Sequence, residues 1–224
     1  VDYRDNLRAN AYAVVKCPWI SGLSYRFNFA GNLNYRKAGD FTHESAFVPN
    51  GTYDDDNRYS VATQNSYLSS AGGNITNERT TSHVIDNILN YNQTFGKHNI
   101  DLTAVATRDY KKYEYQNLSG SDFAANGNTV LGLNGIHYAT TQKISLNNWK
   151  QTNIGYFGRA SYSFSDTYYL TASYRRDGSS VFGVNNKWGN FGAVGAAWRI
   201  TNETFMKKAD FLNDMKLKLS WGKN

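Results

Sequence analysis

The sequence predicts an all-β fold, an antiparallel up-and-down transmembrane β-barrel segment of about eight long strands. Three observations predict it. Apolar and polar side chains alternate with period two along most of the chain, as in YFGRASYSFSDTYYLTASYRRDGSSVFG, residues 156–183. Aromatic residues make up 15% of the 224, with 17 Tyr, 12 Phe and 5 Trp, while proline occurs only twice. Such a composition suits long strands. The connections alternate between compact and long polar, the rim asymmetry of outer-membrane barrels with short periplasmic turns and long extracellular loops.

The first run, 9–17 (ANAYAVVKC), ends in a turn at Pro18 to Gly22. The second, 23–36, sets Leu23, Tyr25, Phe27 and Phe29 against Ser24, Arg26 and Asn28. A long polar stretch, 37–78, precedes the third strand, 80–95, which carries Leu89, Tyr91 and Phe95 on one parity. Gly96 to Asn99 turns the chain into the fourth, 100–115, where Ile100, Leu102, Ala104 and Ala106 oppose Asp101, Thr103 and Thr107. A second polar stretch, 116–150, leads to the fifth and sixth strands, 153–164 and 168–177. After a loop at 178–187 the seventh, 188–200, aligns Val194, Ala196, Trp198 and Ile200. Residues 202–212 are expected to form a short helix capped by Thr201 or Asn202. The eighth strand, 215–221, alternates Met215, Leu217, Leu219 and Trp221 with Lys216, Lys218 and Ser220.

Parity fixes the register of the fifth and sixth strands. Directly opposed residues share a face, so the apolar even positions must pair with even positions. A two-residue turn violates this. A three-residue loop, Ser165-Asp166-Thr167, satisfies it and places Phe164 by Tyr168, Tyr162 by Leu170 and Ala160 by Ala172. One face of the hairpin is then apolar with aromatic borders, as lipid and its interfaces select. The other carries Arg159, Arg175, Thr171 and Asp177 and suits a wet lumen. Eight strands of a larger barrel should form an open sheet with two unpaired edges.

A mean hydropathy of −0.61 and the lack of an 18-residue apolar run exclude a transmembrane helix but not a barrel. The single Cys17, expected to be a small strand residue, excludes an internal disulfide. The net charge of +6 comes from scattered Lys and Arg without a basic run, so nucleic acid is not an expected partner. Val1 is not a methionine and no signal peptide opens the chain. Residues 1–224 are therefore expected to be part of a barrel truncated at both ends, without a plug.

No catalytic residue, cofactor site or metal site is expected. Asp54, Asp55 and Asp56 have calcium-type oxygens, yet read better as a solvated loop run. His43, His83, His98 and His137 lack ligand spacing, and no GxSxG elbow occurs. Candidate ligand-binding residues are loop aromatics and a polar neighbour: Tyr53, Asp55, Tyr59, Tyr67, Tyr138 and Trp149. The Arg176-Asp177-Gly178 block reads as a structural hairpin device, with Gly178 permitting φ > 0, and not as a ligand contact. On pattern alone, a surface carbohydrate-binding β-sandwich and an outer-membrane hydrolase barrel stay open as alternatives.

The C-terminal third resembles the SusC/RagA-type TonB-linked outer-membrane transporters of Bacteroidetes. The blocks that carry the resemblance are Tyr156 to Arg159, Arg176 to Ser180, Phe182-Gly183, Trp188-Gly189, Ala197 to Ile200 and Ser220 to Gly222. NAYAVVKCPWISGLSYRFNFAGNLNY looks like a preceding hairpin of the same family. Departures occur at Val181, where the family often has a basic residue, and at Gly192-Ala193, often a Pro-Ser pair. The resemblance implies a non-enzymatic importer of oligosaccharides or peptides in the outer membrane, contacting the lipid bilayer. It also implies a SusD-like surface lipoprotein as lid and energy from the TonB complex through N-terminal parts this chain lacks.

Overall fold

The computed structural model describes residues 1–43, 47–48, 51–53, 59–61, 66–67, 71–123, 128–183, 185–206 and 212–223. Strands are β1 (Asp2–Lys16), β2 (Leu23–Thr42), β3 (Phe47–Val48), β4 (Gly51–Tyr53), β5 (Tyr59–Val61), β6 (Ser66–Tyr67), β7 (Gly72–Phe95), β8 (His98–Phe123), β9 (Ala139–Phe164), β10 (Tyr168–Ser179), β11 (Trp188–Arg199) and β12 (Lys216–Lys223). Eight of them form one antiparallel meander in the order β1-β2-β7-β8-β9-β10-β11-β12. The short pairs β3–β6 and β4–β5 form two small sheets within the 43–71 connection. As expected, β1 and β12 end the order with one neighbour each among the described residues.

The anticipated hairpin register is observed: Phe164 opposes Tyr168, Tyr162 opposes Leu170 and Ala160 opposes Ala172. The loop closes because Ser165 (φ 55°) and Asp166 (φ 52°) both take the left-handed region, where Asp is among the more tolerant residues. Neighbours hold them there. Ser165 N donates to Lys97 O at 2.7 Å, and Asp166 O accepts from Tyr169 Oη at 2.7 Å and Asn202 Nδ2 at 2.9 Å.

Several expectations need correction. The polar stretches 37–78 and 116–150 contribute strand at both ends, because a polar residue on each face is no obstacle once a neighbouring strand supplies backbone hydrogen bonds. The turn expected over 96–99 is only Gly96-Lys97. Residues 202–212 form no α-helix as far as they are described. Two single 3-10 turns, Ile200–Asn202 and Thr204–Met206, stand there, and the first has no side-chain cap. Cys17 lies just past β1, its N–H donating to Leu23 O at 2.9 Å across the turn. Connection length alone also misorders one pair: 200–215 is longer than 180–187. The meander still puts alternate connections on the same side.

Gly178 is not in the left-handed region; it lies inside β10. A Cβ there would come within 2.8 Å of the Trp188 ring, so the glycine serves close approach of an aromatic from β11.

The chain divides into two compact units. Unit 1 comprises Val1–Leu7, Leu33–Thr81 and Lys112–Trp149; unit 2 comprises Arg8–Asn32, Ser82–Lys111 and Lys150–Asn224. Unit 1 holds the buried apolar cluster of Ala71, Phe123 and Ala139, with Phe41 packed edge-on to Phe123 at 5.6 Å. The 3-10 stretch Asn128–Tyr138 adds buried Ile136.

Unit 2 is built around the short turns. At that rim, Glu203 accepts from Tyr168 Oη at 2.6 Å and Trp198 Nε1 at 2.9 Å. The Tyr168 hydroxyl first, and then the Trp198 indole, hold the carboxyl below the usual carboxylate range. A carboxyl lowered in the folded state stabilises it above the unfolded pKa, and that contribution disappears as pH falls through the lowered value. Thermal melts from neutral pH down to acid are therefore expected to show a smaller acid-induced drop in Tm for Glu203→Gln than for the unsubstituted protein. An identical drop in both would overturn this.

Candidate functional site

Side chains alternate across each strand, so the eight-stranded sheet presents two faces of different chemistry. In unit 2 one face is apolar and bare. Leu170 (56% exposed), Val194 (51%), Leu219 (77%) and Trp221 (67%) stand on it, and the register carries the row from Tyr162 through Leu170 and Ala196 to Leu219. Aromatics border it at both ends. Near the short turns lie Phe164 stacked on Tyr168 at 6.5 Å, and His98 at 4.8 Å from Phe164. Towards the other end Tyr156 stacks on Trp188 at 6.3 Å, and His83 stacks between Phe29 (6.5 Å) and Tyr110 (5.0 Å).

The height of this band can be estimated. Trp198 and Trp188 are ten residues apart on β11. At ~3.4 Å per residue and a tilt of ~40° that separation is about 26 Å, against the ≈ 25 Å apolar belt of outer-membrane barrels. A β-sandwich would cover this flank with a second sheet. Among the described residues none covers it, so the sandwich alternative is not supported.

The opposite face of unit 2 is a polar ladder. Asp101 is shared by Arg159 (3.2 Å) and Asn92 (2.9 Å), Thr107 donates to Asp86 at 2.9 Å, and Arg175 pairs with Asp177 at 2.7 Å. Asn153 links Asp109 (3.0 Å) to Ser179 (2.6 Å). The last two groups line a cleft of about 630 Å³ whose apolar walls are Val84, Val105, Phe157 and Phe182. Its volume falls in the range of small-molecule sites, and its few convergent polar groups are what fix a ligand's orientation. Charged pairs this exposed add little stability, so their groups can exchange partners with a polar solute. Among the described residues that line it, no nucleophile stands beside a base.

The structure distributes the candidate ligand residues as follows. Tyr53 and Tyr59 are register partners in β4–β5, and Tyr67 is the partner of Phe47 in β3–β6. Asp54, Asp55 and Asp56 lie outside the described residues. Tyr138 ends the 3-10 stretch, half exposed, its ring 4.0 Å from that of His137. Trp149 is not in a loop: it sits on β9, 5.7 Å from the ring of Tyr113 on β8. In the same unit Arg36 bridges Asp2 (3.2 Å) and Glu78 (3.6 Å). Sequence reading missed Tyr113 and the 630 Å³ cleft. The residues alternate visibly, but which ones meet depends on the β8–β9 pairing, which no local pattern encodes.

Residues 2–224 match the family described as TonB dependent receptor-like, beta-barrel. The TonB-dependent receptor P26 of Formosa agariphila is 28% identical over 227 residues, covering 94% of this chain and 23% of that protein. The TonB-dependent receptor P39 of the same organism is 34% identical over 137 residues, 61% of this chain and 13% of that protein. The TonB-dependent receptor SusC of Bacteroides thetaiotaomicron is 42% identical over 73 residues, 33% and 7% respectively. The chain thus spans less than a quarter of the length of these curated relatives. A solved structure of the RagAB peptide transporter has the same fold, with a TM-score of 0.68 at 23% identity over 99% of this chain and 22% of that one. With an eight-stranded meander, an aromatic-bordered bare face and a family match along nearly its whole length, this chain belongs to the TonB-dependent receptor β-barrels of SusC/RagA type, bacterial outer-membrane proteins.

Proposed function

We propose that this chain is one stretch of the wall of a TonB-dependent importer that carries oligosaccharides or peptides across the outer membrane. One observation carries the reading: in unit 2 every strand carboxylate takes the polar face, and the bare apolar face carries none. Such sorting suits a wall with hydrocarbon on one side and a wet passage on the other. The barrel does no covalent chemistry. It offers hydrogen-bonding groups and rings along a route, with the TonB complex supplying energy through N-terminal parts of the receptor and a SusD-like lipoprotein closing the outer mouth. Residues 1–224 are then one barrel domain segment. The Tyr113–Trp149 pair and the loop residues Tyr53, Asp55, Tyr59, Tyr67 and Tyr138 would contact cargo on the way in, since sugar rings and peptide side chains both pack on aromatic faces.

The test is uptake by the native host with the full-length gene deleted, restored, or restored as Trp149→Ala. Labelled oligosaccharides and peptides are supplied with and without an energised TonB system. Loss on deletion, rescue by the intact gene and dependence on TonB are the expected results. Uptake that ignores both the deletion and TonB would sink the import reading.

A further inference from the structure

We propose that the bare face of unit 2 carries, at its long-loop end, a docking site for the phosphate groups of an anionic lipid. The argument starts from charge. Four cations share the parity of the apolar face: Arg108 with Ala104 and Ala106 on β8, Lys150 with Ile154 and Tyr156 on β9, Arg176 with Tyr174 on β10, and Lys223 opposite Gly192 on β12. All four are exposed; Lys150, Arg176 and Lys223 lie in the half of their strand remote from the short turns, and Arg108 stands near the middle of β8. The carboxylates go elsewhere. Asp86, Asp101, Asp109 and Asp177 are bonded on the polar face, and Asp166, Glu203 and Asp214 stand at the short-turn rim. Among the described residues of unit 2, the apolar face is therefore cationic at one end and has no internal anion to neutralise it.

Arg176 is the centre of the site. Its guanidinium carbon lies 4.8 Å from the centroid of Trp188, whose ring stacks on Tyr156, the register partner of Arg176. On the next strand Asn190, also opposite Arg176, accepts from Tyr174 Oη at 2.9 Å. No carboxylate among the described residues pairs with Arg176. A cation held flat on a tryptophan keeps its in-plane N–H donors free, the geometry that suits a phosphate. The surrounding aromatic belt sits at headgroup depth, where each basic residue gains about 1 kcal/mol from an anionic surface. Interface depth, unpaired donors and absent carboxylates point to one occupant, a phosphate-bearing lipid headgroup of the leaflet at that end.

This rests on the bilayer reading of the face, not on the cargo. The full-length receptor in a neutral detergent is titrated with lipid A, with dephosphorylated lipid A and with inorganic phosphate, and retained lipid is counted by native mass spectrometry. Lipid A is expected to be retained over its dephosphorylated form. Arg176→Gln is expected to weaken retention roughly fivefold and R108Q/R176Q roughly twenty-five-fold, while Lys218→Gln on the opposite face changes nothing. Equal retention of the two lipids would overturn the proposal, as would an unaffected R176Q or an equal loss in K218Q. Displacement of lipid A by inorganic phosphate would reassign the site to a free anion. Cargo uptake is scored separately: lipid retention without uptake sinks only the import reading, and uptake without phosphate-dependent retention sinks only this one.

Discussion

Leu170→Arg is expected to destabilise the protein by about 1–3 kcal/mol in a bilayer, the cost of an arginine on the lipid face of a barrel part-way between the interface and the midplane. Leu170 is 56% exposed and lies between Tyr162 and Ala196, two residues inward of the Tyr168–Trp198 border. In water that exposure would make an arginine harmless; in hydrocarbon it leaves a guanidinium without hydration. Its neighbour Thr171 takes the opposite face, its hydroxyl 3.4 Å from that of Ser161, so Thr171→Arg is expected to cost less than about 1 kcal/mol. Denaturant titration of the full-length protein refolded into vesicles checks both. A tolerated L170R with a damaging T171R would reverse the faces and remove the bilayer from the account.

The largest backbone effect is expected at Gly22. This residue closes the β1–β2 turn with φ +83°, and a Cβ there would fall 1.9 Å from Asn92 O. That oxygen cannot retreat easily, because Asn92 N is itself bound to Gly22 O at 2.9 Å. Gly22→Ala thus combines the left-handed penalty, ~1–2 kcal/mol, with overpacking against backbone, ~1–3 kcal/mol, for a loss of about 2–5 kcal/mol. Gly96 is the control. Its φ is +58°, but nothing lies within 4 Å of a Cβ there, so Gly96→Ala is expected to lose only about 1–2 kcal/mol. Equal losses at the two turns in the same titration would show that the Asn92 contact does not matter.

The two faces were legible before any coordinates, and so was the 164/168 register, because both follow from parity. Successive Cβ atoms point to opposite sides of a strand whatever its neighbours are, so Leu170 and Arg175 could be assigned their faces from spacing alone. The three-residue loop followed from requiring even positions to meet even ones. Where reasoning ran ahead of local geometry it failed. Beside Arg176 and Asp177, Gly178 reads locally as a glycine that permits a turn, yet it is a strand residue that makes room for Trp188. Where the described residues overlap the helix expected over 202–212, 3-10 turns stand instead, tied to Tyr168, Trp198 and Asp166 by hydrogen bonds.

By itself, the sequence determined the all-β class, the number of strands in the meander, the family and which side chains share each face. Only the tertiary structure decided where strands end inside the polar stretches, that Trp149 meets Tyr113, and that Asp109, Asn153 and Ser179 join along one cleft. It also decided which charges find partners and which, like Arg176, do not. The division has a physical cause. Alternation is set within a few bonds, whereas pairing between strands tens of residues apart is a collective choice of the whole sheet, made by backbone hydrogen bonds that carry no side-chain signature.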